Sequence, residues 1–137
     1  MGSELFALKA LCKKITEVFP KHSITVAPFA ACDRKPCCLH FLEKNHQPKH
    51  LMADILNRQI KGKGADATVC TTTIEAEEVQ IPKHNIDLYV LGFPCTPWSL
   101  RGDGGGFEDP NCKPFWAGLS TIVHALPNTF VMENAWG

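Results

Sequence analysis

The chain carries no net charge: fourteen Lys and Arg balance fourteen Asp and Glu over 137 residues. A complete nucleic-acid-binding domain usually shows a basic excess, so charge alone does not mark this chain as one. No apolar run approaches the ~18 residues that a membrane-spanning helix needs, and no membrane partner is expected. The opening stretch, MGSELFALKALCKKI, lacks the basic start and long apolar centre of a secretory signal. Paired CxxC spacing is also absent. Cys32, Cys37, Cys38 and His40 lie close together, but without that spacing no metal is expected. Seven Cys with no signal peptide point to reduced thiols in an intracellular compartment, the nucleus if the source is eukaryotic. There is no internal repeat, no low-complexity tract and no second domain. At 45% apolar and 20% charged residues, the composition suits one globular domain around one modest core.

What is present alternates between helical and strand-like segments. Leu5, Leu8, Leu11, Cys12, Ile15 and Val18 recur at helical spacing over Ser3–Val18, with Leu5, Leu8 and Leu11 expected in the core. Residues 23–32 read as a buried strand that Pro28 interrupts, and Asp33 follows it. Pro36 suits the first turn of a helix that continues through residues 37–44. Residues 50–55 suggest a short strand with Asp54 near its end. Residues 56–80 carry little pattern; Lys61, Gly62, Lys63 and Gly64 mark a loop, and residues 71–79 are ambiguous. Residues 87–93 form the clearest strand, an apolar run of the kind covered on both faces. A glycine-rich loop, expected to be mobile, spans residues 101–109; a helix is expected over about 111–125 and a second buried strand over Thr129–Glu133.

This order predicts an α/β fold with a mainly parallel sheet flanked by helices. Ligands of such sheets sit beyond the carboxyl ends of the strands. Asp33, Asp54, Cys95 and Glu133 each follow a proposed strand and are expected along one edge. A thiol and a carboxylate together suit attack on an electron-poor ring, the sulfur adding to carbon while the acid protonates a ring nitrogen.

The segment Gly92-Phe93-Pro94-Cys95-Thr96-Pro97-Trp98-Ser99, followed by Phe130-Val131-Met132-Glu133-Asn134, resembles the cytosine-C5 DNA methyltransferase family. Pro94-Cys95 and Glu133-Asn134 match its two hallmark motifs in order, and Gly106-Phe107-Glu108-Asp109 resembles the end of its catalytic loop. The resemblance implies a partial Rossmann-like fold that binds S-adenosylmethionine. Residues up to about 60 would hold the cofactor, and residues 87–137 would hold the two catalytic motifs. Asp33 would hold the cofactor ribose and Asp54 would lie near its adenine. Gly2, Ser3 and Glu4 would end the glycine-containing cofactor loop. Phe93 would line the cofactor site, and so would Arg34, where many members have an apolar or aromatic residue. Cys95 would add to C6 of a cytosine flipped out of DNA, Glu133 would protonate or hydrogen-bond N3, and C5 would take the methyl group. Pro94 and Asn134 complete the catalytic set, Asn134 by positioning Pro94. Ser99 and Arg101 are candidates for phosphate contacts.

The resemblance also implies a chain truncated at both ends. An earlier strand, later strands, an Arg-containing motif and a target-recognition region would lie outside it, leaving little activity alone and a possible complementing chain as partner. Blander alternatives stay open. Cys95 could be an ordinary buried Cys, as the other six are expected to be. Asp33 and Asp54 could cap helices. The chain could be a non-catalytic relic that binds a partner, or an enzyme acting on cytosine in RNA.

Overall fold

A computed structural model describes residues 2–57, 59–61, 68–70, 78–102 and 104–134. The chain divides into two compact units, one reaching to Asp54 and the other beginning at Ile55.

The first unit opens with α1, Ser3–Val18, preceded by Gly2 in a left-handed conformation (φ 97°). Strand β1, Ala30–Cys32, pairs in parallel with β2, His50–Met52, and α2, Pro36–His46, connects them. Helix α2 starts where Pro36 costs nothing, since first-turn N–H groups have no intrahelical acceptor. It ends at Gln47, whose left-handed backbone lets its N–H reach the Leu42 carbonyl at 3.2 Å. Its inner face is Leu39, Leu42 and His46. Helix α1 meets it through Phe6, whose ring lies 4.6 Å from that of His46 and 5.9 Å from that of Phe41.

Two expectations change here. The strand foreseen over residues 23–32 shrinks to three residues. Pro28 has no N–H to donate, and its carbonyl serves only as an acceptor for Lys49. Helix α1 forms over the expected span but buries none of its residues. Leu5 and Leu8 are half-buried, and Leu11 is 55% exposed rather than in the core. Periodicity gives a helix one apolar face; it does not supply what covers that face.

The second unit begins with a 3₁₀ turn, Ile55–Asn57, and three short strands, β3 (Gln59–Lys61), β4 (Thr68–Cys70) and β5 (Glu78–Gln80), paired antiparallel. The patternless region therefore forms an antiparallel sheet of its own; residues 62–67 and 71–77 lie outside those described. Among the described residues the expected mainly parallel sheet appears as two separate parallel pairs, β1–β2 and the pair described next. Strand β6, Leu88–Gly92, pairs in parallel with β7, Thr129–Glu133, through α3, Lys113–Ala125. Helix α3 turns Gly118, Thr121, Ile122 and Ala125 inward. At Gly118 the helix comes so close to β6 that a Cβ would press on the Leu91 methyl groups, which would have to shift to admit it. Ala125 packs with Ile81 and Ile86.

The apolar runs of β6 and β7 are not covered on both faces. Leu91 is buried beneath α3, whereas Val90 is 37% exposed and Phe130 and Val131 are 52% and 48% exposed. Val90 and Val131, paired in the register, lie on the face opposite Leu91, whereas Phe130 shares the Leu91 face, which α3 covers only in part. Among the described residues no helix is long and apolar enough to cross a membrane.

Candidate active site

Parallel pairing of β6 with β7 sets the frame of the site. The register runs from Leu88 opposite Thr129 to Gly92 opposite Glu133. A Cβ at Gly92 would lie 3.6 Å from Glu133 Oε2, so the exposed carboxylate reaches across the end of β6. Cys95, half-buried, follows three residues later on the arm that leaves that same strand end. Asn134, next after Glu133, donates its side-chain N–H to the Phe93 carbonyl at 3.3 Å and lies 3.5 Å from the Pro94 carbonyl. The Pro94-Cys95 arm is thereby fastened to the end of β7. Asn134 Oδ1 is buried and has no hydrogen-bond partner among the described residues.

Beyond Cys95 the chain coils into a tight turn. The Cys95 carbonyl accepts N–H bonds from Trp98 at 2.9 Å and Ser99 at 2.8 Å. Pro97 is fully buried, and its carbonyl accepts the Gly106 N–H at 2.9 Å, closing the neck of the glycine-rich loop. Gly102 lies against the turn, where a Cβ would fall on the Thr96 carbonyl, so a side chain there would displace the backbone. The loop contains a 3₁₀ turn, Gly106–Glu108, and is followed by Asp109, buried, whose carboxylate accepts the Asn111 N–H at 2.7 Å. Within the loop Ser99 is half-buried and Arg101 exposed.

Sequence reasoning passed over the aromatic cluster behind this turn. Trp98 stands edge-on to Phe93 (5.2 Å), Phe115 (6.0 Å) and Phe107 (5.9 Å), and Trp116 joins through Phe115 (5.0 Å). Such arrangements add about 0.5–1.5 kcal/mol per pair beyond area burial. The available signal was the density of aromatics around the Pro-Cys motif. His46 was missed as well: it is 4% exposed, and neither ring nitrogen has a hydrogen-bond partner among the described residues.

In the first unit, Asp33 and Asp54 follow the paired ends of β1 and β2. Asp33 is buried, its N–H bonds the Met52 carbonyl and its carboxylate accepts the Lys35 N–H at 2.9 Å. It thus closes the turn before α2 without being its cap, which is Lys35, and still has acceptor capacity, since a carboxylate offers about four acceptor positions. Arg34 Nε lies 3.3 Å from Asp54 Oδ2, so two cofactor candidates pair with each other. Gly2 is buried at the start of α1, and its N–H bonds Glu4 Oε2 at 3.0 Å, while the Ser3 and Glu4 side chains are exposed. Phe93 lies in the second unit.

Two thiols behave as structural groups. Desolvation, reinforced by the Asp33 carboxylate, pushes the Cys38 thiol above the ordinary cysteine value. Burial, with Asp109 adding, does the same to Cys112. Both favour the protonated, unreactive form. Among the described residues no three His, Cys, Asp or Glu side chains form a group that could hold a metal ion.

The arm that carries Cys95 and the Glu133 carboxylate thus leave the same end of two paired parallel strands. Comparison with known proteins places this arrangement in a family. The family model for C-5 cytosine-specific DNA methylase matches residues 10–137. The chain is 32% identical over 116 residues to the type II methyltransferase M.AquIA of Picosynechococcus, which covers 85% of this chain and 42% of that protein. It is 41% identical over 59 residues to M.HgiCII of Herpetosiphon aurantiacus (42% of this chain, 13% of that protein). Against M.HpaII of Haemophilus parainfluenzae it is 35% identical over 65 residues (47% and 18%). No solved structure matches it. The chain belongs to the C-5 cytosine-specific DNA methylase family, and it spans less than half the length of these relatives.

Proposed function

We propose that this chain supplies the nucleophile and cofactor-binding parts of an intracellular DNA (cytosine-5-)-methyltransferase built on a Rossmann-like sheet. The observation that carries this is the parallel register ending at Gly92 opposite Glu133, reinforced by the bond from Asn134 to the Phe93 carbonyl. It sets Pro94-Cys95 and Glu133 at one end of the paired strands.

Cys95, as thiolate, adds to C6 of an extruded cytosine, and the C5–C6 electron pair moves toward C5 and on into the ring. Glu133, as the acid, gives its proton or a hydrogen bond to N3, where the negative charge would otherwise collect. Bound S-adenosylmethionine supplies an electrophilic methyl group to C5. Loss of the C5 proton to a base then expels the Cys95 thiolate, any proton placed on N3 returns to Glu133, and the ring is restored. Asn134 and Pro94 position the thiol, and Ser99 and Arg101 contact phosphate. The first unit fits the cofactor: Asp33 is a buried carboxylate with acceptor capacity for a ribose diol, and a glycine turn opens α1. Arg34 and Asp54 flank that position.

Turnover by the whole enzyme draws on residues beyond this span, in the same or a complementing polypeptide. The exposed Phe130 and Val131 of β7 favour a second reading, a partner-binding chain without catalysis. Transfer of labelled methyl groups from S-adenosylmethionine to cytosine-containing DNA by the full-length protein decides between them. Transfer lost in Cys95→Ser is expected; equal transfer with and without Cys95 would rule the mechanism out.

A further inference from the structure

Helix α1 is a long element held lightly. It buries none of its sixteen residues, and Leu11 and Val18 in its later turns are 55% and 58% exposed. Its described ties to α2 fall in its first two turns and centre on His46. The Phe6 ring stands edge-on to the His46 ring at 4.6 Å, and Phe41 of α2 adds a second wall at 6.0 Å. Gly2 lies against the same ring: a Cβ added there would come 3.2 Å from His46 Nε2 and 3.1 Å from Phe41 Cε1. Lys9 contributes an exposed bond from Nζ to the Asn45 carbonyl at 3.2 Å.

A histidine 4% exposed, with both ring nitrogens unpartnered among the described residues, lowers stability where it stands. A phenyl ring would fill similar space without stranding two polar atoms. What histidine adds is a change of charge close to neutral pH. Once protonated, the ring carries two N–H donors, and the Phe6 and Phe41 rings have no lone pair to accept them. Burial and then the Lys9 ammonium oppose that charge, while the Glu4 carboxylate and the Gly2 backbone, both on the α1 side, favour it.

We propose that His46 is an acid-released latch for α1. Uptake of a proton turns the ring toward water, and the first turns of α1 come away from α2. The rest of the unit keeps bonds of its own: β1 stays paired with β2, and the Gln47 N–H stays on the Leu42 carbonyl. The docked helix leaves His46 a poorer proton acceptor than the released one does. The latch is therefore shut above pH 6.5 and opens as the pH falls below it. One proton limits the gain in opening to about 10-fold per pH unit. A sixteen-residue helix freed into water is only marginally stable, so its amides exchange. The latch does not depend on the chemistry at Cys95.

Hydrogen–deuterium exchange of the intact chain, read by mass spectrometry and corrected for the pH dependence of intrinsic exchange, tests it. Between pH 6.5 and one unit lower, opening of the α1 segment should rise several-fold, up to about 10-fold. The α2 segment should hold its protection. His46→Phe keeps a ring and loses the titration, so its α1 should exchange alike at both pH values. Should that variant fail to fold, an NMR titration of the His46 ring in the unaltered chain takes its place. The ring and the exchange of α1 should then share one midpoint, and separate midpoints would overturn the latch. So would an α1 equally open at both pH values, or a loss of protection in α1 and α2 together, the mark of general acid unfolding.

Discussion

Asn134 donates its side-chain N–H to the backbone carbonyl of Phe93, 3.3 Å away and forty-one positions earlier in the chain. This bond joins the two motifs that define the site, and it makes a distinctive prediction. Asn134→Asp keeps the shape but sets an acceptor against an acceptor. Leaving the part-buried carbonyl without its donor should cost about 1 kcal/mol locally. Because small displacements of a reacting group slow chemistry by up to roughly 100-fold, adduct formation at Cys95 should slow far more than global stability falls. Stopped-time trapping assays beside thermal unfolding would check this. Unchanged trapping would show that Asn134 does not position the arm.

Helix α3 approaches β6 through Gly118, where a Cβ would run into the Leu91 side chain. Gly118→Ala should therefore overpack the contact and destabilise the second unit by about 1–3 kcal/mol. Adding Leu91→Ala should recover part of that loss, since it removes the clashing atoms. Urea titrations of the single and double variants measure the coupling, and strictly additive losses would contradict it.

His46 is predicted to make the first unit sensitive to acid. Burial, and then the nearby Lys9 ammonium, lowers its pKa below the ordinary value of 6.5, with Glu4 opposing. Because the folded state binds the proton less well than the unfolded chain, this stability is full above pH 6.5 and is lost as the pH falls below it, toward the folded value. His46→Phe should flatten the stability profile between neutral and mildly acidic pH. Denaturant midpoints across that range provide the readout, and parallel profiles for the two proteins would exclude His46 as the cause.

The Arg34–Asp54 pair should matter little to folding. The Arg34 side chain is 75% exposed, and exposed ion pairs contribute about 0–1 kcal/mol, less in salt. Arg34→Ala is expected to unfold within about 0.5 kcal/mol of the unaltered chain. A larger loss would reveal a structural role that the geometry does not suggest.

Local chemistry is what this sequence announces most clearly. Pro36 opening α2, the helix ending at Ala125 and the Pro94-Cys95 and Glu133-Asn134 motifs all declare themselves within a few residues. Coverage by distant neighbours is less visible. Phe130 and Val131 have the composition of a buried strand, but Val131 lies on the face that α3 leaves open and Phe130 on the face that α3 covers only in part. Leu11 keeps helical spacing but stays exposed among the described residues. Strands β3, β4 and β5 are three residues each, too short to leave a periodic signal. The contacts of Trp98 with Phe107 and Phe115 and the pairing of Arg34 with Asp54 arise only when separate segments meet.

The central claim is that Cys95 attacks cytosine with Glu133 as its acid. Intact-mass analysis of the protein incubated with S-adenosylmethionine and duplex DNA containing 5-fluorocytosine tests it most directly. The account predicts a stable species with the summed mass of protein, DNA and one methyl group. It should be absent in Cys95→Ser and form at least about 100-fold more slowly in Glu133→Gln. An adduct that persists in Cys95→Ser, or one indifferent to Glu133, would contradict it.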